Sequence, residues 1–460
     1  MKPTGVVVVV MPNTTMVHMQ VGSGALALGL IIPVINKIQL KSFILNRRPE
    51  PDSVSDLRCA LLKDDKCYTI KTGYDGRSLD EIENLDFYFL DEELPEILFS
   101  SPELLLTTAV SQPGLSSIVR LFLANFLDKR RVIGGKDAFT YVIACENLYL
   151  NSNELRGLLL EHASEINLKS EFEGFVNSQC TFLDTVVDRV CVLTDVLKKG
   201  RPIVRVEPNY EWVIDKTPLY EFQGKTESLE TKIGSSVNLV SKREYEFYYS
   251  RKTWFVNGGQ LAIAAYAKEY NEEYVNQAME NPKIAKRIQL LFRAFTFALV
   301  QYGQTKGFSP EGDKGYRGIG DYALNVIERF NQMSDSCARI LRPLIKPAAA
   351  LQKMRKIILS LNDEHAEINI SDKINYIIDF LDVQQFTGKI LDRIIKGVDF
   401  FRQYDDEKKH EILKNEPEIY TELLYLYQTC ILRMNNELES LLSDVRKLTK
   451  NLPDASSTKL

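Results

Sequence analysis

The feature that most restricts the fold is Gly22-Ser23-Gly24-Ala25-Leu26-Ala27, which joins the alternating, strand-like segment VHMQV to the apolar run LGLIIPVI. The spacing is G-x-G-x-x-A at a strand-to-helix junction. There the first glycine permits a tight turn, the second lets a ligand approach the backbone, and a small third residue lets the helix pack closely. The N–H groups that open the helix then favour an anion such as a pyrophosphate. A glycine turn ahead of a plain core helix is the alternative reading of the same residues. The motif predicts a parallel α/β sheet whose first strand ends at residue 21.

The segments that follow agree with such a sheet. SFILN (residues 42–46) reads as a second strand, and LLLTTAV (104–110) and FTYVIACENLYL (139–150) as further buried ones. The second strand runs into Asn46-Arg47-Arg48, with no carboxylate before Glu50. An acid at this place binds an adenosine ribose, whereas arginines suit a 2′-phosphate, so NADP stands level with NAD. A solvated basic loop is the bland alternative. PIVRVEPNYEWVIDKT (202–217) alternates like a strand and closes or leaves the sheet, which sets the domain boundary near residue 215.

Beyond about residue 245 the apolar period changes to three and four. Ile374, Ile377, Ile378 and Leu381 share one helical face, and Ile431, Leu438 and Val445 alternate with Met434, Leu441 and Leu448 at heptad spacing. The heptads fit either a dimer seam or packing within a bundle, so monomer and homodimer both stand. The expected architecture is an N-terminal Rossmann-like parallel-sheet domain over 1–215, binding NAD or NADP, and a mainly α-helical substrate and catalytic domain over 216–460.

Composition excludes several classes of function. A net charge of −5 with scattered Lys and Arg argues against a nucleic-acid backbone as partner. The 7 cysteines form no C-x2-C pair and the 4 histidines, His18, His162, His365 and His410, lie far apart, so the sequence proposes no metal site. An odd cysteine count in a long chain fits a reducing, cytoplasmic setting. The valine run in MKPTGVVVVVMPNTTM is shorter than a typical export signal, and ALALGLIIPVI is too short to cross a bilayer.

In KTWFVNGGQLAIAAYAK (252–268), Lys252, Asn257 and Gln260 precede an apolar, Ala-rich helical run. On an α-helix they fall within an arc of roughly 140° and can face one cleft. The structural alternative is a helix cap, with Asn257 at the N-cap. Gly258-Gly259 weakens the helix at this point and opens the backbone to a ligand.

Read in order, GSGALALG, TTAVS, Cys145-Glu146-Asn147, Val187-Asp188-Arg189, Val206-Glu207-Pro208 with Glu211-Trp212, and Lys252…Asn257…Gln260 resemble the polyol-specific long-chain dehydrogenases, especially their mannitol-1-phosphate 5-dehydrogenase branch. The likeness spans residues 16 to 270 and continues more loosely through ERFN (328–331) and RILRPLIK (339–346). It implies metal-independent hydride transfer between a nicotinamide cofactor and a polyol or keto-sugar. Lys252 would act as general base, a role that needs a lowered pKa. Asn147 and Asn257 would donate hydrogen bonds to the reacting oxygen. Cofactor contacts are expected from Gly22, Ser23, Gly24, Ala25, Leu26, Ala27, Asn46, Arg47, Thr108, Ala109 and Val110. Arg339, Arg342 and Lys346 fit either a substrate phosphate or carboxylate, or a surface cluster on a helix.

The sequence departs from the family pattern at Gln260, where the family has histidine, at Leu28, where it has arginine, at Ser111, where it has glycine, and in the missing ribose-binding acid. Gln260 can hydrogen-bond a hydroxyl but cannot relay a proton as imidazole does. Three readings follow: a dehydrogenase of sugar alcohols or their phosphates, a hexuronate (tagaturonate or fructuronate) reductase with the same machinery, and a binding or scaffold protein that has lost catalysis.

Overall fold

The computed structural model describes residues 16–340, apart from 50, 52, 74–77, 111, 167–168, 199–200, 222–225, 306, 309–313, 333 and 339. The helical face at 374–381, the heptads at 431–448, and Ser111, Arg339, Arg342 and Lys346 lie outside the described residues. The chain divides into two compact units, Met1–Tyr248 and Tyr249–Leu460.

The first unit is built on a six-stranded, wholly parallel sheet. Its strands are β1 (Met16–Val21), β2 (Ser42–Asn46), β5 (Asp86–Phe89), β6 (Glu103–Thr108), β7 (Phe139–Ala144) and β8 (Cys180–Phe182), in the order β5-β2-β1-β6-β7-β8. Every residue of β1 and β7 is buried, as a strand covered by helices on both faces requires. Counted along the chain within this sheet, the order is 3-2-1-4-5-6, and the winding reverses between β1 and β6.

Two smaller sheets complete the unit. β3 (Tyr68–Thr72) and β4 (Ser78–Ile82), inserted between β2 and β5, join β10 (Cys191–Lys198) and β11 (Arg201–Val206) in the order β10-β11-β3-β4. β9 (Thr185–Asp188), β12 (Glu211–Asp215) and β13 (Asn238–Val240) form the third sheet. The segment 202–217, expected as one strand, is therefore two strands in different sheets, divided by the turn after Val206. The residues after 215 pack with the first unit: β13 pairs with β12, and Leu229 and Ile233 are fully buried in a core with Trp212, Ile214, Leu30 and Ile31.

In the second unit the described residues are almost entirely helical, with Gly259–Tyr270, Val275–Glu280, Pro282–Thr305 and Tyr316–Gln332 as its helices. Among the described residues an aromatic cluster packs between these helices. The Phe255 ring meets Phe292 edge-on at 5.0 Å, Phe295 at 5.8 Å and Tyr322 at 5.8 Å, an arrangement favoured by the ring quadrupoles.

Candidate active site

The crevice at the carboxyl ends of β1 and β6 is where an open α/β sheet of this winding holds a ligand. Gly22 sits there with φ +95°, and a Cβ at this position would lie 2.6 Å from the Ala109 carbonyl oxygen and 2.9 Å from Val110 Cγ1. Glycine is thus required twice, by backbone conformation and by space. The turn is fixed by Gly22 N–H donating to Leu45 O (2.7 Å) and Ala109 N–H donating to Val21 O (3.0 Å). Asn46, at the end of β2, donates from Nδ2 to Ser23 Oγ at 2.9 Å. Gly24 is exposed, and a Cβ there would meet nothing nearer than Ala109 O at 3.9 Å. Its backbone is open to an approaching group.

Ala25 and Leu26 begin the helix, partly buried, and Ala27 is fully buried. Over Ala27–Ile31 the winding is π-helical, and the side chains of Tyr68 and Arg189 donate to the Leu28 and Gly29 carbonyl oxygens, each at 2.6 Å. Arg189 also donates to the Glu207 carbonyl. The VDR and VEP motifs therefore meet one another and brace the helix that follows the glycine turn. A Cβ on Gly29 would lie 2.6 Å from Cys191 Sγ, so this glycine shares the close-packing role that sequence spacing assigned to Ala27. Leu28 is fully buried with Ile44, Leu62 and Tyr68, which gives an apolar core environment to the position where the family has arginine.

Glu146 is the group that sequence reasoning missed, although it stands inside the CEN motif. Its carboxylate, 5% exposed, accepts from Thr108 Oγ1 at 2.8 Å and from Val110 N–H at 3.0 Å. It thereby clamps the loop after β6. Burial pushes its pKa up to about 7, and the two donors oppose that shift. β7 stops at Ala144, so the expected strand 139–150 ends early, and Asn147 is exposed in the following loop. Asn151 Nδ2 secures this loop by donating to the carbonyls of Glu146 (3.1 Å) and Thr185 (2.9 Å).

At the corner beyond β2, Arg47 is exposed. Arg48 lies 4.3 Å over the Phe89 ring, and its Nε donates to both oxygens of Asp91, at 3.1 and 2.7 Å. Its Nη2 donates to Glu92 at 3.2 Å. Of the two arginines that the sequence offers for a 2′-phosphate, Arg48 is thus already held by two carboxylates, while Arg47 is exposed.

In the second unit Lys252 is 8% exposed, and Asn257 and Gln260 are half-buried. The helix continues unbroken through them, so Asn257 is not an N-cap. Residues Thr253–Gly258 wind as a π-helix. On an α-helix five residues overshoot one turn by about 140°, whereas a π turn closes on i→i+5 and brings residue 257 back over residue 252. Lys252 and Asn257 therefore align more closely than α-helical spacing predicts. The Arg251 guanidinium, 5% exposed, lies 4.1 Å over the Tyr322 ring. A Cβ on Gly259 would lie 2.8 Å from Phe292 and 2.9 Å from Phe330. That glycine serves helix packing rather than ligand approach. Among the described residues no His, Cys, Asp and Glu cluster could hold a metal ion, and no helix is long and apolar enough to cross a membrane.

A parallel sheet of this order, with a glycine turn at its reversal point, defines a dinucleotide-binding α/β fold. Residues 16–228 match the mannitol dehydrogenase Rossmann domain family. The chain is similar to the mannitol-1-phosphate 5-dehydrogenase of Bacillus subtilis (strain 168), 26% identical over 302 residues, covering 64% of this chain and 71% of that protein. The enzyme of the same name from Anoxybacillus flavithermus (strain DSM 21510 / WK1) is 28% identical over 250 residues, 53% of this chain and 56% of that one. Among solved structures, Pseudomonas fluorescens mannitol 2-dehydrogenase, a ternary complex with NAD and D-mannitol, superposes with a TM-score of 0.53 at 13% identity, covering 91% of this chain and 95% of that one. Substrate-free D-sorbitol dehydrogenase gives 0.53 at 16% identity over 80% of each chain. These two share the fold.

Proposed function

We propose that this chain is an NAD(P)-dependent oxidoreductase that interconverts a sugar alcohol, or its phosphate, and the corresponding keto-sugar by metal-independent hydride transfer. The observation that carries the reading is the glycine turn at the reversal point of the sheet, in a chain whose similar proteins are named mannitol-1-phosphate 5-dehydrogenases. The cradle fits a dinucleotide: Gly22 admits no side chain, Gly24 leaves its backbone open, and a helix begins at residue 25. Gly22, Ser23, Gly24 and the helix start through Ala25, Leu26 and Ala27 would hold the pyrophosphate, Asn46 and Arg47 the adenosine ribose, and Thr108, Ala109 and Val110 the nicotinamide half. The bound dinucleotide supplies the hydride acceptor or donor.

Lys252 is assigned the proton: its Nζ takes it from the substrate hydroxyl during oxidation and returns it during reduction. Asn257, aligned with Lys252 by the π turn, and Asn147 donate to the oxygen on which negative charge develops. Preorganised amides of this kind are worth several kcal/mol of barrier. Gln260 holds a neighbouring hydroxyl. Arg339, Arg342 and Lys346 are assigned the phosphate or carboxylate of the substrate. Between the two cofactors we favour NAD, because Arg48, one of the two arginines at this corner, already pairs with Asp91 and Glu92.

Gln260 favours one other reading, a member that binds the cofactor without turning over, since the family's histidine is absent. One panel separates the two: NADH or NADPH oxidation followed by absorbance with fructose 6-phosphate, fructose and tagaturonate. Oxidation with fructose 6-phosphate or fructose is the expected result, and tagaturonate alone as substrate would make the chain a hexuronate reductase. Cofactor binding without any oxidation supports the second reading. If neither cofactor raises the melting temperature at millimolar concentration, both readings fail.

A further inference from the structure

One row of polar side chains lies inside the parallel sheet and has no part in the chemistry assigned above. His18, Gln20 and Thr107 are each 0% exposed and Ser42 is 8% exposed. Strand register brings them together. His18 and Gln20 are two apart on β1 and so share one face; Ser42 of β2 is the register partner of His18, and Thr107 of β6 is that of Gln20. The side chains contact in series. His18 Nδ1 is 2.9 Å from Ser42 Oγ, His18 Nε2 is 2.7 Å from Thr107 Oγ1, and Thr107 Oγ1 donates to Gln20 Oε1 at 2.6 Å. Gln20 Nε2 then donates to the carbonyls of Val21 (2.7 Å) and Gly22 (3.1 Å).

The direction of every bond in this series is determined. The Gln20 amide nitrogen must face the two carbonyls, because the reverse orientation would set an oxygen against both. Thr107 has one proton, and it goes to Gln20 Oε1, so Thr107 accepts from His18 Nε2–H. His18 is therefore the Nε2–H tautomer, and its Nδ1, at 2.9 Å, accepts the Ser42 hydroxyl proton in preference to the Leu40 carbonyl oxygen at 3.5 Å. Burial keeps the imidazole neutral, its pKa lowered to about 3. Donation runs one way, Ser42 to His18 to Thr107 to Gln20 to the Gly22 carbonyl, across three strands.

We propose that His18, Thr107 and Gln20 are positioning residues for the dinucleotide turn, acting through the peptide between Gly22 and Ser23. In a trans peptide the carbonyl oxygen and the next N–H point in opposite directions. Fixing the Gly22 carbonyl on Gln20 inside the sheet therefore turns the Ser23 N–H away from the sheet interior, toward the side where an anion would sit. A fully satisfied buried chain of this kind rigidifies its surroundings, whereas a partly satisfied one is costly. The chain thus gives the glycine turn a single shape.

This proposal rests on the dinucleotide reading, and two measurements keep the two separate. The first needs no ligand: amide hydrogen exchange at Gly22, Ser23 and Gly24 in the unliganded full chain. Thr107→Val keeps the shape of the side chain but breaks the series, and exchange at these amides is expected to speed up, while Thr107→Ser keeps the hydroxyl and restores protection. Gln20→Met is expected to behave like Thr107→Val. Unchanged protection in Thr107→Val and Gln20→Met, with the melting temperature confirming a folded chain, overturns the proposal. The second measurement is NADH titration with a KM-against-kcat split. Thr107→Val and Gln20→Met are expected to raise the dinucleotide Kd and KM by about tenfold, the equivalent of one strong hydrogen bond, with kcat held, and Thr107→Ser is expected to match the wild type. Equal NADH affinity in all variants overturns the proposal. Absence of NADH binding in the wild type itself defeats the dinucleotide reading instead and leaves the exchange result to decide whether the series shapes the turn.

Discussion

Gly22→Ala and Gly24→Ala form a matched pair in which one methyl group reports two different things. At Gly22 the new Cβ would stand 2.6 Å from a carbonyl oxygen and 2.9 Å from Val110 Cγ1, on a backbone with φ +95°. A left-handed conformation costs an L-residue about 1–2 kcal/mol, and forcing a methyl into filled space costs about 1–3 kcal/mol more. Gly22→Ala is expected to destabilise the chain by about 2–5 kcal/mol. At roughly 2–4 °C per kcal/mol for a unit of this size, its melting temperature should fall by about 4–20 °C. At Gly24 the nearest atom is 3.9 Å away, so the methyl group touches nothing in the protein, and stability should stay within about 1 kcal/mol. The same methyl group would occupy the face from which a pyrophosphate approaches. Gly24→Ala is expected to weaken NADH binding by at least about tenfold, read by fluorescence titration, with a melting temperature close to the wild type. Wild-type NADH affinity in Gly24→Ala would refute the placement of the dinucleotide at this turn. A Gly22→Ala chain as stable as the wild type would refute the steric argument itself.

Four further outcomes are expected. Lys252→Ala should lower kcat by about 10²–10⁴-fold, the usual range for a general base, with NADH affinity within a factor of two in equilibrium titration. Equal turnover would remove Lys252 from the mechanism. Glu146 has its folded-state pKa raised from 4.5 to about 7, so its contribution is fully present below pH 4.5 and is lost as pH rises through 7, a change on the order of 3 kcal/mol. Glu146→Gln should accordingly match the wild type near pH 4.5 and melt higher at pH 8, and parallel melting curves over that range would reject the linkage. The Arg130 guanidinium, 0% exposed, donates to Thr140 Oγ1 and to the carbonyls of Leu98, Phe99, Ser101 and Phe139. Arg130→Met should cost about 3–5 kcal/mol in urea unfolding, because those buried acceptors lose their donor, and a loss under 1 kcal/mol would contradict that account. Asp91→Ala should raise NADPH affinity relative to NADH by releasing Arg48, and an unchanged ratio would separate Arg48 from cofactor choice.

Much of the first unit was legible because parallel strands buried on both faces leave short apolar or β-branched runs such as MVHMQV and FTYVIA. The glycine turn was legible because its spacing is dictated by sterics that the structure reproduces at Gly22. Other features were not legible, each for a physical reason. Glu146 looked like an ordinary polar residue in a motif, since its raised pKa comes from burial and from donors at 108 and 110 that only the fold brings near. Arg48 looked free because its partners, Asp91 and Glu92, follow a strand 40 residues further on that sits next to β2 only in the assembled sheet. The strand expected over 202–217 was divided because alternation continues across a turn that carries no glycine, and periodicity alone cannot see the change of sheet.

The π turns were also hidden, and one of them alters the chemical argument. Apolar periodicity near 3.6 persists on both sides of Thr253–Gly258, so a sequence reader assigns 100° per residue throughout and spreads Lys252, Asn257 and Gln260 over a wide arc. With the π winding in place, Asn257 comes back over Lys252 while Gln260 lies in the α-helical turn beyond. The three positions are therefore not equivalent. In the mechanism proposed here, the lysine and the first amide are set as a pair by backbone winding, and this pairing does not depend on which side chain stands at 260. In that mechanism, glutamine in place of the family's histidine would remove a proton relay at the outer position and leave the backbone pairing of base and amide in place. If the proposed mechanism holds, the departure at Gln260 would bear on the pH profile and the substrate hydroxyl held there, and turnover would rest on Lys252 and Asn257.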